Sequence, residues 1–225
     1  MTRVAALQMN SGADVAANLA IAERLLGDAA AEGCSLAVLP ENFALMPERG
    51  RDKSGFAEHP GEGPIQDFLA DTARRHRLWI VGGSIPLASP EPERVYGASL
   101  LFDDRGDNVG IYRKIHLFDV DLSDDEQSYR ESHSMVPGSA VVAVETPLGK
   151  LGLTICYDLR FPELYRALLD EGASLFSVPA AFTVPTGQAH WHTLLRARAI
   201  ENLAYVIAAG QYGEHADKRA TFGHS

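Results

Sequence analysis

Apolar positions along the chain fall into short blocks with two different periods. Runs at 4–9, 35–39, 78–84, 96–102, 108–112, 141–145, 150–155, 174–178 and 204–209 are continuous or alternating, which predicts strands. Longer stretches between them return to apolar residues every three or four positions, which predicts helices. The first helix starts at an N-cap, Asp14, carries Val15, Leu19, Ala22, Leu25 and Leu26, and stops at Gly33. Three more cover 65–77 through Phe68, Leu69 and Ala73; 161–171, closed by Gly172; and 189–202 with Trp191, Leu194, Leu195 and Ile200. On the last of these, Arg196, Arg198 and Glu201 are spaced for local ion pairs of roughly a few tenths of a kcal/mol each.

The order of these elements sets the architecture. The opening strand, helix and strand favour parallel pairing with a right-handed crossover. Asp103-Asp104-Arg105-Gly106-Asp107 and Thr146-Pro147-Leu148-Gly149 each sit between two strands and read as hairpin turns. The segment 46–64 is rich in Gly, Pro and charge and reads as a long loop. Residues 86–93 form another break, 119–138 an acidic, turn-rich loop, and 221–225 the start of a strand. There is no internal repeat and no low-complexity segment.

A chain of 225 residues that is 46% hydrophobic can bury a sizeable core, and one domain over 1–225 is expected. With 30 acidic and 20 basic residues the formal charge is -10, which argues against a nucleic acid or an anionic membrane as partner and leaves a small molecule. No apolar run approaches the roughly 20 residues that span a bilayer, and Met1-Thr2-Arg3 leads straight into a strand, so a cytoplasmic location is expected. Cys34 and Cys156 are too far apart in sequence to argue for a disulfide, and Cys34 is expected to pack in the core.

The second cysteine is placed differently. An apolar run from Leu151 to Ile155 ends at Cys156, and Tyr157-Asp158-Leu159-Arg160-Phe161-Pro162 then reads as a turn that opens a helix. A side chain on such a bend is held from behind, while the backbone N–H groups after it face incoming negative charge. Taken alone, Cys156 reads more readily as a buried thiol closing a core strand. Two other strand ends alter that balance. Glu41 follows the second strand in Pro40-Glu41-Asn42, and Lys114 follows the return strand of the hairpin in Arg113-Lys114-Ile115-His116-Leu117. In parallel sheets, functional groups gather at the carboxyl ends of strands. A carboxylate beside a thiol can take its proton during attack on an electrophilic carbon, and an ammonium can stabilise the oxyanion that forms. The backbone N–H of Tyr157 is a second candidate donor.

These three motifs, including Ile155-Cys156-Tyr157-Asp158-Leu159-Arg160-Phe161-Pro162-Glu163, resemble the signature blocks of the nitrilase superfamily of carbon–nitrogen hydrolases, and the resemblance runs over essentially the whole chain. It implies an α/β fold, the four-layer α-β-β-α sandwich, with Glu41 as general base, Lys114 as stabiliser of the tetrahedral intermediate and Cys156 as nucleophile. It also points to Glu131 as a second glutamate that orients the substrate or the lysine. The segments 181–191 and 218–225 look most like the branch of deaminated-glutathione amidases, with omega-amidases as neighbours. The reaction implied is hydrolysis of a small amide, such as deaminated glutathione or a 2-oxo acid amide, through an acyl-thioester with release of ammonia. No cofactor and no metal are implied, and a homodimer or higher homo-oligomer is expected. Tyr157, Phe182, Thr183 and His190 are candidates for the substrate pocket. Family members ordinarily continue past Gly223-His224-Ser225, so the chain is expected to lack the last strands and tail.

Other readings remain open at this point. Nitrile or N-carbamoyl hydrolysis would use the same three residues, and a shortened family member could act as a binding or scaffold protein. A metal enzyme is disfavoured, because His190 and His192 lack further ligands at a recognisable spacing. A nucleotide site is disfavoured too, because no Gly-rich loop follows the first strand.

Overall fold

The structure, a computed structural model, describes residues 2–46, 53–122, 127–215 and 219–225. The first of its two main sheets begins with a strand and a helix that the apolar pattern predicts. Strand β1 (Arg3–Ala6) pairs in parallel with β2 (Cys34–Val38), and helix α1 (Val15–Ala31) crosses between them. Asp14 caps α1, its carboxylate accepting from the Ala17 N–H, and Gly33 follows its end with a φ of 74°. Helix α2 (Pro64–His76) leads into β3 (Trp79–Val81), which extends the parallel sheet. Antiparallel β4 (Ile85–Ala88), β5 (Val95–Phe102) and β6 (Asn108–Arg113) complete six strands. A small hairpin of β7 (Asp119–Leu122) and β8 (Gln127–Arg130) stands apart from it.

The second sheet runs β12-β11-β10-β9. Strands β9 (Ala143–Thr146) and β10 (Gly149–Leu153) form the predicted hairpin, and helix α3 (Pro162–Asp170) carries the chain to β11 (Leu175–Ala180). A helical turn α4 (Val184–Thr186), a π-turn at Gly187–Trp191 and helix α5 (His192–Asn202) lead to β12 (Tyr205–Gly210). Strands β13 (Tyr212–Glu214) and β14 (Ala220–Phe222) pair at the end of the described chain.

Strand alternation explains how these pieces layer. On β2, Leu36 and Val38 point into one core with Leu151, Leu153, Phe176 and Val178 of the second sheet, so the two sheets face each other. Ala37 and Leu39 point the other way and pack on Leu26 of α1 and Leu69 of α2. On the far side, Leu164, Tyr165 and Leu168 of α3 cover the second sheet. The result is an α-β-β-α sandwich, the four layers that the resemblance implied. Each fully buried Leu, Ile or Phe contributes roughly 1.5–3 kcal/mol through burial.

Four elements differ from the reading of the pattern. The strand expected over 78–84 stops at Val81, and the break expected at 86–93 begins with β4. Pro86 is tolerated there because β4 pairs with β5 on one side only, and its outer side meets only Glu58. The loop expected over 119–138 contains the β7–β8 hairpin, although residues 123–126 lie outside the described residues. The last helix begins earlier than 189, at the cap Thr183, because the π-turn continues the helical course through Gly187. Within the loop read over 46–64, residues 47–52 lie outside the description, as does Lys218 of the terminal motif. Cys34 is half-buried and packs beside the α1 and α2 core, as expected.

Candidate active site

Glu41 lies three residues beyond β2 and is almost fully buried. Its loop is held in place by backbone and amide groups. The Glu41 carbonyl accepts from Nε2 of Gln211 at 3.1 Å, and that amide also bonds Ser11, giving the loop a buried support. Behind it, Gly83 at φ 52° is needed because a Cβ there would come within 2.1 Å of the Pro40 carbonyl oxygen.

Lys114 is the first residue after β6 and is 2% exposed. Its ammonium donates to Glu41 Oε1 at 2.8 Å and to both carboxylate oxygens of Glu131 at 3.0 and 2.9 Å. Burial works against charge on this amine, and the carboxylates of Glu131 and Glu41 outweigh it, holding the lysine well above its ordinary pKa. Glu131 is fixed in turn, because its Oε2 accepts the Phe118 N–H at 2.7 Å. The structure thus brings the second glutamate to the same ammonium as the first.

Cys156 follows the exit of β10 with a φ of 47°, a left-handed conformation that costs a non-glycine residue about 1–2 kcal/mol. The bend is maintained by Asp158, which is fully buried. The Asp158 carboxylate accepts from the Ile155 N–H at 2.9 Å, the Tyr112 hydroxyl at 2.7 Å and the His116 N–H at 3.1 Å, and meets His116 Nδ1 at 2.7 Å. One carboxylate therefore ties the cysteine turn to the chain on both sides of Lys114. The Cys156 thiol shares the cavity with the Glu41 carboxylate and feels its charge, that of Lys114 and the Ala181 N–H. Burial and the Glu41 charge push the thiol well above its ordinary pKa, against the pull of Lys114 and the Ala181 N–H. At neutral pH the resting cysteine is a protonated thiol next to a base.

These groups open on a cavity of about 650 Å³. Glu41, Lys114, Glu131 and Cys156 line it, together with Tyr157, Phe182 and Thr183 from the predicted pocket set. His190 is placed elsewhere. It is exposed, does not line the cavity, and meets Arg160 through Nδ1 at 3.3 Å, because the π-turn rotates it outward while Trp191 packs on Phe182. Sequence reasoning passed over Asp158, Gln211 and Lys53. Asp158 stands two residues after the cysteine and was open to notice. Lys53 lies in a charged loop where nothing distinguishes it from a solvated lysine. Among the described residues, no group of three or more His, Cys, Asp or Glu side chains could hold a metal ion.

Comparison with known proteins gives a consistent picture. The family model for carbon–nitrogen hydrolases matches residues 3–225. A deaminated glutathione amidase from Yersinia enterocolitica is 46% identical over 223 residues, covering 99% of this chain and 77% of that protein. Saccharomyces cerevisiae Nit3, a member of branch 10 of the nitrilase superfamily, superposes with a TM-score of 0.88 at 32% identity, over 100% of this chain and 80% of that one. A mutant amidase from Nesterenkonia sp. AN1, carrying acrylamide added at its active-site cysteine, superposes with a TM-score of 0.77 at 25% identity, over 98% and 82%. In sequence, layers and motif placement, the chain belongs to the carbon–nitrogen hydrolase family.

Proposed function

We propose that the protein is an amidase that hydrolyses a small linear amide, deaminated glutathione or a 2-oxo acid amide, through an acyl-thioester on Cys156. The observation that carries this reading is the buried Lys114 ammonium, shared by Glu41 and Glu131 in the cavity that the Cys156 thiol also lines. Glu41 takes the thiol proton as sulfur attacks the amide carbon. The oxyanion then forms beside Lys114 and the Tyr157 N–H, donors of this kind being worth about 3 kcal/mol each. Protonated Glu41 passes its proton to the leaving nitrogen, the C–N bond breaks, and ammonia departs. Water enters and adds to the thioester carbon as Glu41 takes its proton, the C–S bond breaks, and Glu41 returns the proton to the departing sulfur as the carboxylic acid is released. Glu131 holds Lys114 in line throughout. The Yersinia enterocolitica relative supports the substrate class, and the acrylamide adduct of the Nesterenkonia amidase supports the nucleophile.

The same reading takes the protein as a homo-oligomer, supported by the exposed apolar side chains Ile200, Leu203 and Tyr205. The proposed compartment is the cytoplasm, supported by two free cysteines, and no helix among the described residues is long and apolar enough to cross a membrane. Ammonia release from 2-oxoglutaramate and deaminated glutathione tests the function. Wild type should release ammonia and show an acyl adduct by intact mass, and Cys156→Ala should do neither while keeping its fold. Turnover by Cys156→Ala would sink the mechanism.

A further inference from the structure

The mechanism above uses one lysine of the cavity, and a second, Lys53, also lines it. Lys53 is half-buried at the cavity wall, and among the described residues its hydrogen bond is to the neutral Oδ1 of Asn42 at 3.1 Å, with no carboxylate at ion-pair distance. That contact is built in. Asn42 adopts φ 58°, a left-handed conformation that asparagine tolerates, and its N–H donates to Ser84 Oγ at 2.9 Å, which sets the direction of its side chain. An ammonium has three donors, so one neutral acceptor leaves a half-buried positive charge uncompensated at contact range.

The surrounding charges point the same way. Among the described residues lining the cavity, Arg130 is paired with Asp121, and Lys53, Lys114, Arg160 and Arg219 stand against two lining carboxylates, Glu41 and Glu131. Both carboxylates are already engaged by Lys114. On a chain of net charge -10, a cavity with this excess of cations is an electrostatic sink for an anion.

We infer that Lys53, supported by Arg219, is the subsite for a carboxylate on the amide substrate, and that this subsite selects amides bearing an acid group over neutral ones. The inference deepens the proposed amidase function and rests on it. Asn42 follows Glu41 directly, so a carboxylate held by Lys53 lies on the Glu41 side of the cavity, and its contact orients the amide carbon toward Cys156. A charge-assisted contact of this kind in a water-poor site discriminates strongly against a substrate that lacks it.

The free amine should also show itself by pH. Burial lowers its pKa to about 8, with Lys114 and Arg219 acting in the same direction and Glu131 and Glu41 opposing. Lys53 is therefore charged below that value and loses its charge as pH rises through it. Lys114 is held well above its ordinary value, so it does not change charge there.

The test uses two probes of matched length, glutaramate with its carboxylate and pentanamide without one. Binding is measured by titration calorimetry to Cys156→Ala, which removes both turnover and the thiol titration. Glutaramate should bind at least about tenfold more tightly than pentanamide. Adding Lys53→Gln should weaken glutaramate at least about tenfold and leave pentanamide within about twofold, and Lys53→Arg should recover most of the loss. Without Lys53→Gln, glutaramate affinity should fall as pH rises through about 8, and pentanamide affinity should stay flat. That pH profile serves even if a Lys53 variant fails to fold. Equal binding of the two probes, equal losses for both in Lys53→Gln, or a glutaramate profile flat across pH 8 overturns the inference. If the enzyme releases ammonia from both amides through Cys156 and those losses are equal, the subsite alone fails. If neither amide yields ammonia or an acyl adduct, the amidase reading fails.

Discussion

At the scale of single residues, the informative feature is how differently one cavity treats its ionisable groups. Burial alone would discharge Lys114 and keep Cys156 protonated, and it does so only for the cysteine, because the lysine has two carboxylates in contact. The thiol has the opposite neighbour, since the Glu41 charge raises its pKa further. Removing that charge should therefore lower the pKa of the thiol while removing the base. We expect Glu41→Gln to shift the ultraviolet thiolate titration of Cys156, read against Cys156→Ala as blank, to lower pH, and to cut turnover by about 10²–10⁴-fold. A mutant with more thiolate and less activity would show that proton transfer, rather than a standing thiolate, drives attack. An unchanged or raised thiol pKa would contradict the electrostatic account. Glu41, Lys114 and Cys156 were legible in the chain because each ends a strand of regular apolar pattern. Lys53 was not, because its burial depends on tertiary packing that loop composition does not encode.

At the scale of elements, side chains remote in sequence hold the turns that present these groups. Helix α2 begins after Gly63 without a cap of its own, and Glu58 supplies one, its carboxylate accepting from the Ile65 and Gln66 N–H groups at 2.7 and 3.1 Å. Arg198, spaced for a local ion pair, does reach Glu201 at 2.8 Å, but it is buried and also donates twice to the Leu159 carbonyl, bracing the cysteine turn from α5. Periodicity located these helices and strands because burial of one face is a local pattern. It could not assign the braces, since a buried Asp158 and a surface aspartate read alike in one dimension. Asp158 is the brace whose loss should be felt most. With Asp158→Ala, two backbone N–H groups, a tyrosine hydroxyl and a histidine lose a buried acceptor, which should cost about 3 kcal/mol in urea unfolding. The strained Cys156 turn should relax, lowering kcat in the protein that remains folded. Stability and kcat both near wild type would show that the turn needs no such support.

At the scale of the whole molecule, the layers explain where chemistry is possible and where assembly is. The two sheets bury one core between them and helices cover their outer faces, so the carboxyl ends of β2, β6 and β10 meet at one rim, where the cavity lies. Composition indicated an acidic protein with a large core, but the local cationic excess of that rim emerges only when distant loops converge. The outer surface holds a second irregularity. Leu203 ends α5 at φ 50°, where glycine or asparagine would be less strained, yet it is leucine and 94% exposed. Ile200 one turn earlier is 72% exposed and Tyr205 at the start of β12 is 82% exposed. The homo-oligomer proposed above would cover these side chains with the same patch of a second copy in a symmetric dimer. Leu203→Asp combined with Tyr205→Glu should therefore shift the protein toward monomer in light scattering after size exclusion. Leu203→Gly alone should relieve backbone strain while weakening association. Neither substitution touches the cavity, so a change in oligomer mass without loss of the acyl adduct at Cys156 would separate assembly from chemistry, and an unchanged mass in the double variant would refute the interface.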